Sequence, residues 1–463
     1  MPHGMWPAAT LLVAAACAAP PPPVDQIIAE GAPGGFPSAG QVDPPADALG
    51  PPTRAWWRQA VPEALTETIT TSLNQSPIVD EAAARVAAAQ ASLDIASAER
   101  WLDVELSGRA SANVDDDGDD DQSGSVGLDA TLPLDIFGRL KASRDEQAYR
   151  LIAAAADLDD VRLRLAQAVA TSYVDAAQAV RERTLLDRQI DASRTLLRLT
   201  ETRYLQGQAS MVDVLQQRQQ LASVEQSVPG VDADLRAAAN DLAALAGRPP
   251  PPDARAEAPE TVPTISDRFA LDAPIGLLRT RPDLLRLEAL LAAADRSYAQ
   301  AVADRLPFFQ LSASAVIRTA TGNPQALIEG VLTSVWTIFD TGRKRAIVAA
   351  NRADLEEAAA TYLRAWFDAI ADVDTLFAEE RSAGLELAIA QRRLDEAGRL
   401  LLAAQRRYSS GATDFLPVLD AIENLQALER ELVRLEGNLA RVRVDLHAAL
   451  GLPVAYQLMD PPV

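Results

Sequence analysis

Two hydrophobic periods alternate along this chain. Apolar residues Leu158, Val161, Leu165, Val169 and Tyr173 recur at steps of 3, 4, 4 and 4, and Ile190, Leu197 and Tyr204 continue at steps of 7. Leu355, Tyr362, Trp366, Ile370, Val373 and Phe377 draw the same stripe later in the chain. A stripe of this period is the seam of a long helix packed on other helices, in a coiled coil or in a plain antiparallel bundle. Elsewhere the period drops to two. Val126, Leu128, Ala130, Leu132 and Leu134 alternate with Gly127, Asp129, Thr131 and Pro133, and Leu311, Ala313, Ala315 and Ile317 alternate with Ser312, Ser314 and Val316. Successive side chains of a strand point to opposite faces, so these segments predict strands with one apolar and one mixed face.

The pattern occurs twice. Gly138-Arg139 returns as Gly342-Arg343, Arg203-Tyr204-x-x-Gly207 as Arg407-Tyr408-x-x-Gly411, and Ala246-Gly247 as Leu450-Gly451, each at an offset of 204 residues. Leu106-Ser107 matches Leu311-Ser312 one residue away from that offset. Ordered matches at one spacing are the mark of a tandem repeat. The organisation predicted is a signal peptide over 1–16, a tether over 17–54, a first repeat over 55–247, a Pro-rich linker over 248–270, a second repeat over 271–451 and a tail over 452–463. Each repeat reads as a helix (Ile78–Arg100, Asp283–Arg305), a β-hairpin (Val104–Leu134, Phe308–Phe339), a very long helix (Arg139–Tyr204, Arg343–Tyr408), a Gly turn, and a last helix (Gln208–Ala246, Ala412–Leu450).

Length says what such a repeat builds. Sixty-six helical residues span ~100 Å at 1.5 Å per residue, and the two shorter helices laid end to end match that height. Each repeat then supplies two full-height staves, too tall for a compact domain. Strands of about ten residues are the length that crosses a bilayer. Trp101, Phe137, Phe308, Phe309, Trp336 and Phe339 sit near the strand ends, where an interfacial girdle belongs. The alternative on pattern alone is a soluble hairpin with one buried face. Four strands cannot close a barrel. Two copies give an eight-stranded barrel filled by side chains, and three give twelve strands with room for a duct.

Composition narrows the function. The 463-residue chain carries 65 acidic and 43 basic side chains, a formal charge of −22, which repels nucleic-acid phosphates. With one cysteine, Cys17, and two histidines, His3 and His447, neither a disulfide nor a Cys/His zinc site is available. No GxSxG, GxGxxG or P-loop pattern occurs, so an enzyme would rest on His447 alone, and no cofactor or metal is expected. The Asp115–Asp121 run fits no EF-hand spacing and reads as a solvated loop. No apolar run is long enough for a membrane helix, which leaves a β-barrel as the only way to span. Met5–Ala16 has the length of a signal-peptide core, and Ala14-Ala15-Ala16-Cys17 resembles a bacterial lipobox with Cys17 lipidated; an ordinary cleaved signal is the alternative, and both export the chain. The only two lysines, Lys141 and Lys344, cluster with Arg139 and Arg343 in the first turns of the long helices, where the helix dipole disfavours cations. Phosphates of outer-membrane lipids would explain that placement; simple solvated charge is the alternative.

The chain resembles the TolC-like outer-membrane efflux proteins, in particular the NodT-type lipoprotein channels that serve RND pumps. The resemblance is carried by Trp56-Trp57-Arg58, Leu73-Asn74-Gln75-Ser76-Pro77, Leu134-Asp135-Ile136-Phe137-Gly138-Arg139, the stretch from Pro274 to Arg281-Pro282-Asp283, Phe339-Asp340-x-Gly342-Arg343 and the two RYxxG motifs with Val418-Leu419-Asp420. It implies a mainly α fold with a membrane β-barrel part: a homotrimer with a 12-stranded outer-membrane barrel on a periplasmic α-helical barrel. It also implies partnership with an inner-membrane RND transporter and a periplasmic adaptor, and passive conduction of small toxic compounds. Tyr204, Gly207, Tyr408 and Gly411 match the periplasmic tip, and Asp420 the acidic constriction; Asp213 is the first-repeat carboxylate near the same tip. Pro417 stands where some members carry a second Asp. The rival readings are a duct for type I polypeptide secretion and a pore-free periplasmic scaffold lipoprotein.

Overall fold

The computed structural model describes residues 56–114, 120–266, 281–320, 323–410 and 412–450. Cys17, the signal and tether segments, Gly411, most of the Asp115–Asp121 run and the tail lie outside the described residues.

In chain order the elements are α1 (Trp57–Ala60), α2 (Glu63–Gln75), α3 (Pro77–Ala98), β1 (Asp103–Val114), β2 (Asp120–Leu134), α4 (Arg139–Leu205), α5 (Met211–Leu245), α6 (Ala254–Glu257), α7 (Pro282–Ala303), β3 (Phe308–Ala320), β4 (Asn323–Val335), α8 (Arg343–Ser409) and α9 (Leu416–Ala449). The order α3, hairpin, α4, α5 is repeated by α7, hairpin, α8, α9. Both long helices have 67 residues, about 100 Å each. None of the described helices is long and apolar enough to cross a membrane.

The shorter helices do stack end to end beside the long ones. A Cβ at Gly247, just past the end of α5, would lie 2.8 Å from the Gln75 carbonyl oxygen and 2.8 Å from Pro77 Cδ at the start of α3. In the second repeat the Arg281 Nη1 at the start of α7 donates to the Ala449 carbonyl at the end of α9, at 3.3 Å. Arg281 also grips Asp283 with two bonds of 3.1 and 2.7 Å. Burial alone would raise the Asp283 carboxyl, but the guanidinium outweighs it and holds the group below the usual carboxylate range. The Arg-Pro-Asp motif is therefore a joint: Pro282 opens the helix, the ion pair fixes the Arg281 side chain on the first turn of α7, and its bond to the Ala449 carbonyl ties that turn to the end of α9.

The largest core surrounds this level. Trp56, Trp57, Leu65 and Ile69 from α1 and α2 pack on Leu163, Val169 and Val174 of α4 and Val444 of α9. Helices α1 and α2 are not anticipated by the sequence reading, because they are short and show a single turn or two of apolar spacing. His447 belongs to this layer. It stacks on Trp56 at 5.6 Å between ring centroids, with its Nε2 3.0 Å from the Ser266 carbonyl oxygen. Farther along α8 the buried stripe is Ala383, Ala390, Ala397 and Ala404, strictly every seventh residue. Small side chains at that spacing let a helix lie close to its neighbour along its length.

Two helix starts differ from expectation for physical reasons. Helix α5 begins at Met211 and not Gln208, because Ser210 caps it: Ser210 Oγ accepts from Asp213 N and the Asp213 carboxylate accepts from Ser210 N, a reciprocal capping box. Helix α9 begins at Leu416 because Pro417 takes a first-turn position.

Candidate functional site

At the hairpin end the four strands form one antiparallel sheet in the order β1-β2-β3-β4. The two hairpins are joined through β2 and β3, with Val126 opposite Ile317 and Leu132 opposite Leu311. Register and alternation put Val104, Leu106, Val126, Leu128, Leu311, Ile317, Ile328 and Leu332 on one face. Nothing among the described residues covers that face: Leu106 is 73%, Val126 58%, Ile317 56% and Ile328 85% exposed. The opposite face is mixed, with Ser, Thr, Gln and charged residues beside Val316, Leu327, Val331 and Val335. Below the sheet, Trp101, Ile136, Phe137, Trp336, Ile338 and Phe339 are all exposed. An apolar band edged with exposed aromatics is the surface that a bilayer covers.

The long helices start immediately beneath. Asp135 accepts from the backbone N–H groups of Leu140 and Lys141 at 3.1 and 2.7 Å, and Asp340 accepts from those of Gly342 and Lys344 at 3.0 and 2.8 Å. These bonds, that from Lys344 foremost, hold the Asp340 carboxyl below its usual range. Each cationic first turn thus has a carboxylate at its end, supplied by the same motif that precedes each Gly-Arg pair. Lys344 reaches inward, with its Nζ 3.3 Å from an Asp304 carboxylate oxygen, and Arg139 stacks on Phe308 at 5.2 Å. Lys141 and Arg343 are exposed.

The Gly turns occupy the other end. Gly207 has φ of 71°, and Gln208 N donates to the Arg203 carbonyl at 2.8 Å. Ala412 N donates to the Arg407 carbonyl at 2.9 Å in the second repeat. This left-handed C-terminal turn lets the chain reverse without a longer loop. Arg203 Nη1 donates to the Tyr408 hydroxyl at 2.7 Å, and its guanidinium lies 5.1 Å from that ring's centroid. Tyr408 also stands edge-on to Phe415 at 5.3 Å. The two turns are therefore latched to each other across repeats, and Arg203 is the partner the sequence reading left without a role. Tyr204 is exposed on the same turn. Asp420 is exposed on α9, beside the buried Val418 and Leu419. Asp213 spends one carboxylate oxygen on its capping box.

The stave joint has a pocket of about 520 Å³, with Asp160, Arg164, Asp283, Asp372 and Asp445 on its wall. Burial raises the carboxyls of Asp160 and Asp445. No group of residues able to hold a metal ion exists among the described residues. Burial pushes the His447 imidazole down to about 4, with its ring nitrogen at a backbone carbonyl and its face on Trp56, the environment of a packed, neutral side chain.

A lipid-facing four-stranded sheet on two pairs of ~100 Å staves defines an envelope-spanning channel protein. The chain belongs to the outer membrane efflux protein family, whose model matches residues 68–248 and 276–452. It is thus an outer-membrane efflux protein of TolC-like fold. It is 31% identical over 416 residues to the pyoverdine export outer membrane protein OpmQ of Pseudomonas aeruginosa, covering 86% of this chain and 87% of that one. It is 25% identical over 422 residues to nodulation protein T of Rhizobium leguminosarum bv. trifolii, covering 86% and 87%. The solved outer-membrane channel OprN superposes with a TM-score of 0.83 at 25% identity, covering 91% of this chain and 96% of that one.

Proposed function

We propose that three copies of this chain form the exit duct of a tripartite RND-type efflux system, anchored in the outer membrane through its barrel and a lipid on Cys17. Small toxic compounds delivered by an inner-membrane transporter and a periplasmic adaptor pass through it without chemical change. One observation carries the reading: a four-stranded sheet whose outer strands, β1 and β4, have no partner strand among the described residues, beneath an uncovered apolar face. Unpaired strand edges are not tolerated in hydrocarbon, so closure requires further copies. Three copies leave a lumen where two would fill it.

The remaining assignments follow from position. Arg139, Lys141 and Arg343 lie at the level of lipid phosphates, while Lys344 is committed to Asp304. The Arg203–Tyr408 latch holds the far end in register. Asp420 supplies a ring of three carboxylates near the axis, which attracts cations and narrows the passage. Asp213 contributes to that ring only through the oxygen its capping box leaves over. In planar bilayers, Asp420→Ala should raise conductance and lower cation preference and block by divalent cations. Unchanged values of all three would remove Asp420 from the constriction.

A further inference from the structure

The polar face of the sheet sorts its charges by height. Residues that share a register row stand at one level of the barrel. Asp103 lies in the first row of β1, opposite Thr131. Glu105, Asp129, Ser314 and Glu329 form the next charged row. Ser107, Gly127, Val316 and Leu327 form an uncharged row above it. Arg109, Ser125, Arg318 and Gln325 then form a row nearer the hairpin tips. From Asp103 to Arg109 and across their register partners, the acids are thus on the helix side and both cations on the tip side, and Asp121, opposite Asn113, stands in a separate row beyond the arginines. Neither Arg109 nor Arg318 makes an ion pair among the described residues, and both are exposed. The apolar face carries no charge from Val104 to Ala112 or at the register partners of those residues.

We infer that Arg109 and Arg318 are specificity-determining residues of the barrel lumen, which together with the acidic rows below them make passage depend on the sign and direction of the moving charge. The inference rests on reading the polar face as the lumen of a closed barrel. In three copies the arginine row becomes a belt of guanidinium groups, about 13 Å along the strands from the carboxylate belt at ~3.3 Å per residue. At 0.1 M salt the Debye length is about 10 Å, so the belts remain electrically distinct. Mobile cations gather in the inner belt and mobile anions in the outer one. A field that drives cations outward brings both carriers into the uncharged row between the belts, and conductance rises. The opposite field empties that row, and conductance falls. Positively charged small molecules leaving the cell move in the favoured direction.

The test is the current–voltage curve of the full-length channel, inserted from one side, in a background where Arg203→Ala has released the far-end latch. The expected result is a conductance roughly twofold larger for outward than for inward cation flow in 0.1 M KCl, shrinking towards symmetry at 1 M, where the Debye length is about 3 Å. Arg109→Ser with Arg318→Ser should abolish the asymmetry and increase cation preference. Glu105→Gln with Asp129→Asn and Glu329→Gln, which clears the whole carboxylate row and is a second route if the arginine variant fails to assemble, should abolish the asymmetry and decrease cation preference. The acids of the hairpin tip are unchanged in all these proteins, so they do not enter the comparison. Pores that are symmetric before substitution, or an asymmetry that survives both variants, would overturn the inference and leave the duct intact. No pores at all from the parent protein would instead overturn the duct.

Discussion

His447 shows how a single side chain reports its surroundings. Its folded pKa of about 4 lies below the ordinary value of about 6.5, so the unfolded chain takes up a proton that the folded chain refuses across that interval. Stability therefore rises with pH between those values and is flat, as far as this group is concerned, above about 6.5. We predict that the unfolding midpoint falls on acidification from about pH 7 to about pH 4.5, and that His447→Gln removes a part of this slope worth up to roughly 3 kcal/mol per chain. Thermal unfolding of the two proteins across that range checks it; parallel pH profiles would contradict the buried, neutral imidazole. From the sequence His447 is legible only as the one histidine on which an enzyme could rest. Its stacking on Trp56 joins residues almost four hundred positions apart and has no local signature.

At the level of elements, periodicity gave away more than composition did. The long helices, the hairpins and the end-to-end stacking of the shorter helices were all readable, because each has many turns or alternations over which its period repeats. Helices α1 and α2 were not, since their short apolar patterns gain meaning only against α4. The caps Asp135 and Asp340 were visible in the sequence as residues, but their role needed the backbone N–H groups they meet. The Gly turns permit a sharp comparison. Gly207 and Gly247 both have positive φ, 71° and 67°, yet a Cβ at Gly207 meets open space while one at Gly247 meets the Gln75 carbonyl and Pro77 at 2.8 Å. Gly207→Ala should cost about 1 kcal/mol of backbone strain. Gly247→Ala should cost clearly more, because the junction between α5 and α3 must also open. Chemical denaturation of both variants measures this; equal losses would mean that the stave joint is loose and contributes little.

For the whole molecule, the unusual feature is how much apolar surface the single chain leaves uncovered: the lipid-side face of the sheet and, far from it on α8, Leu385, Ile389, Leu400 and Leu402. The first belongs against lipid and the second against neighbouring staves, and closure of the duct accounts for both. The sequence carried the repeat, the barrel strands and the family. It could not carry the joining of β2 to β3, a pairing between repeats that turns two hairpins into one continuous four-stranded segment of wall. The number of copies in that wall is the central claim, and the native mass of the detergent-solubilised protein measures it directly. Three chains per particle is the predicted result. A particle of one chain, with β1 and β4 left as open edges, would contradict the closed duct.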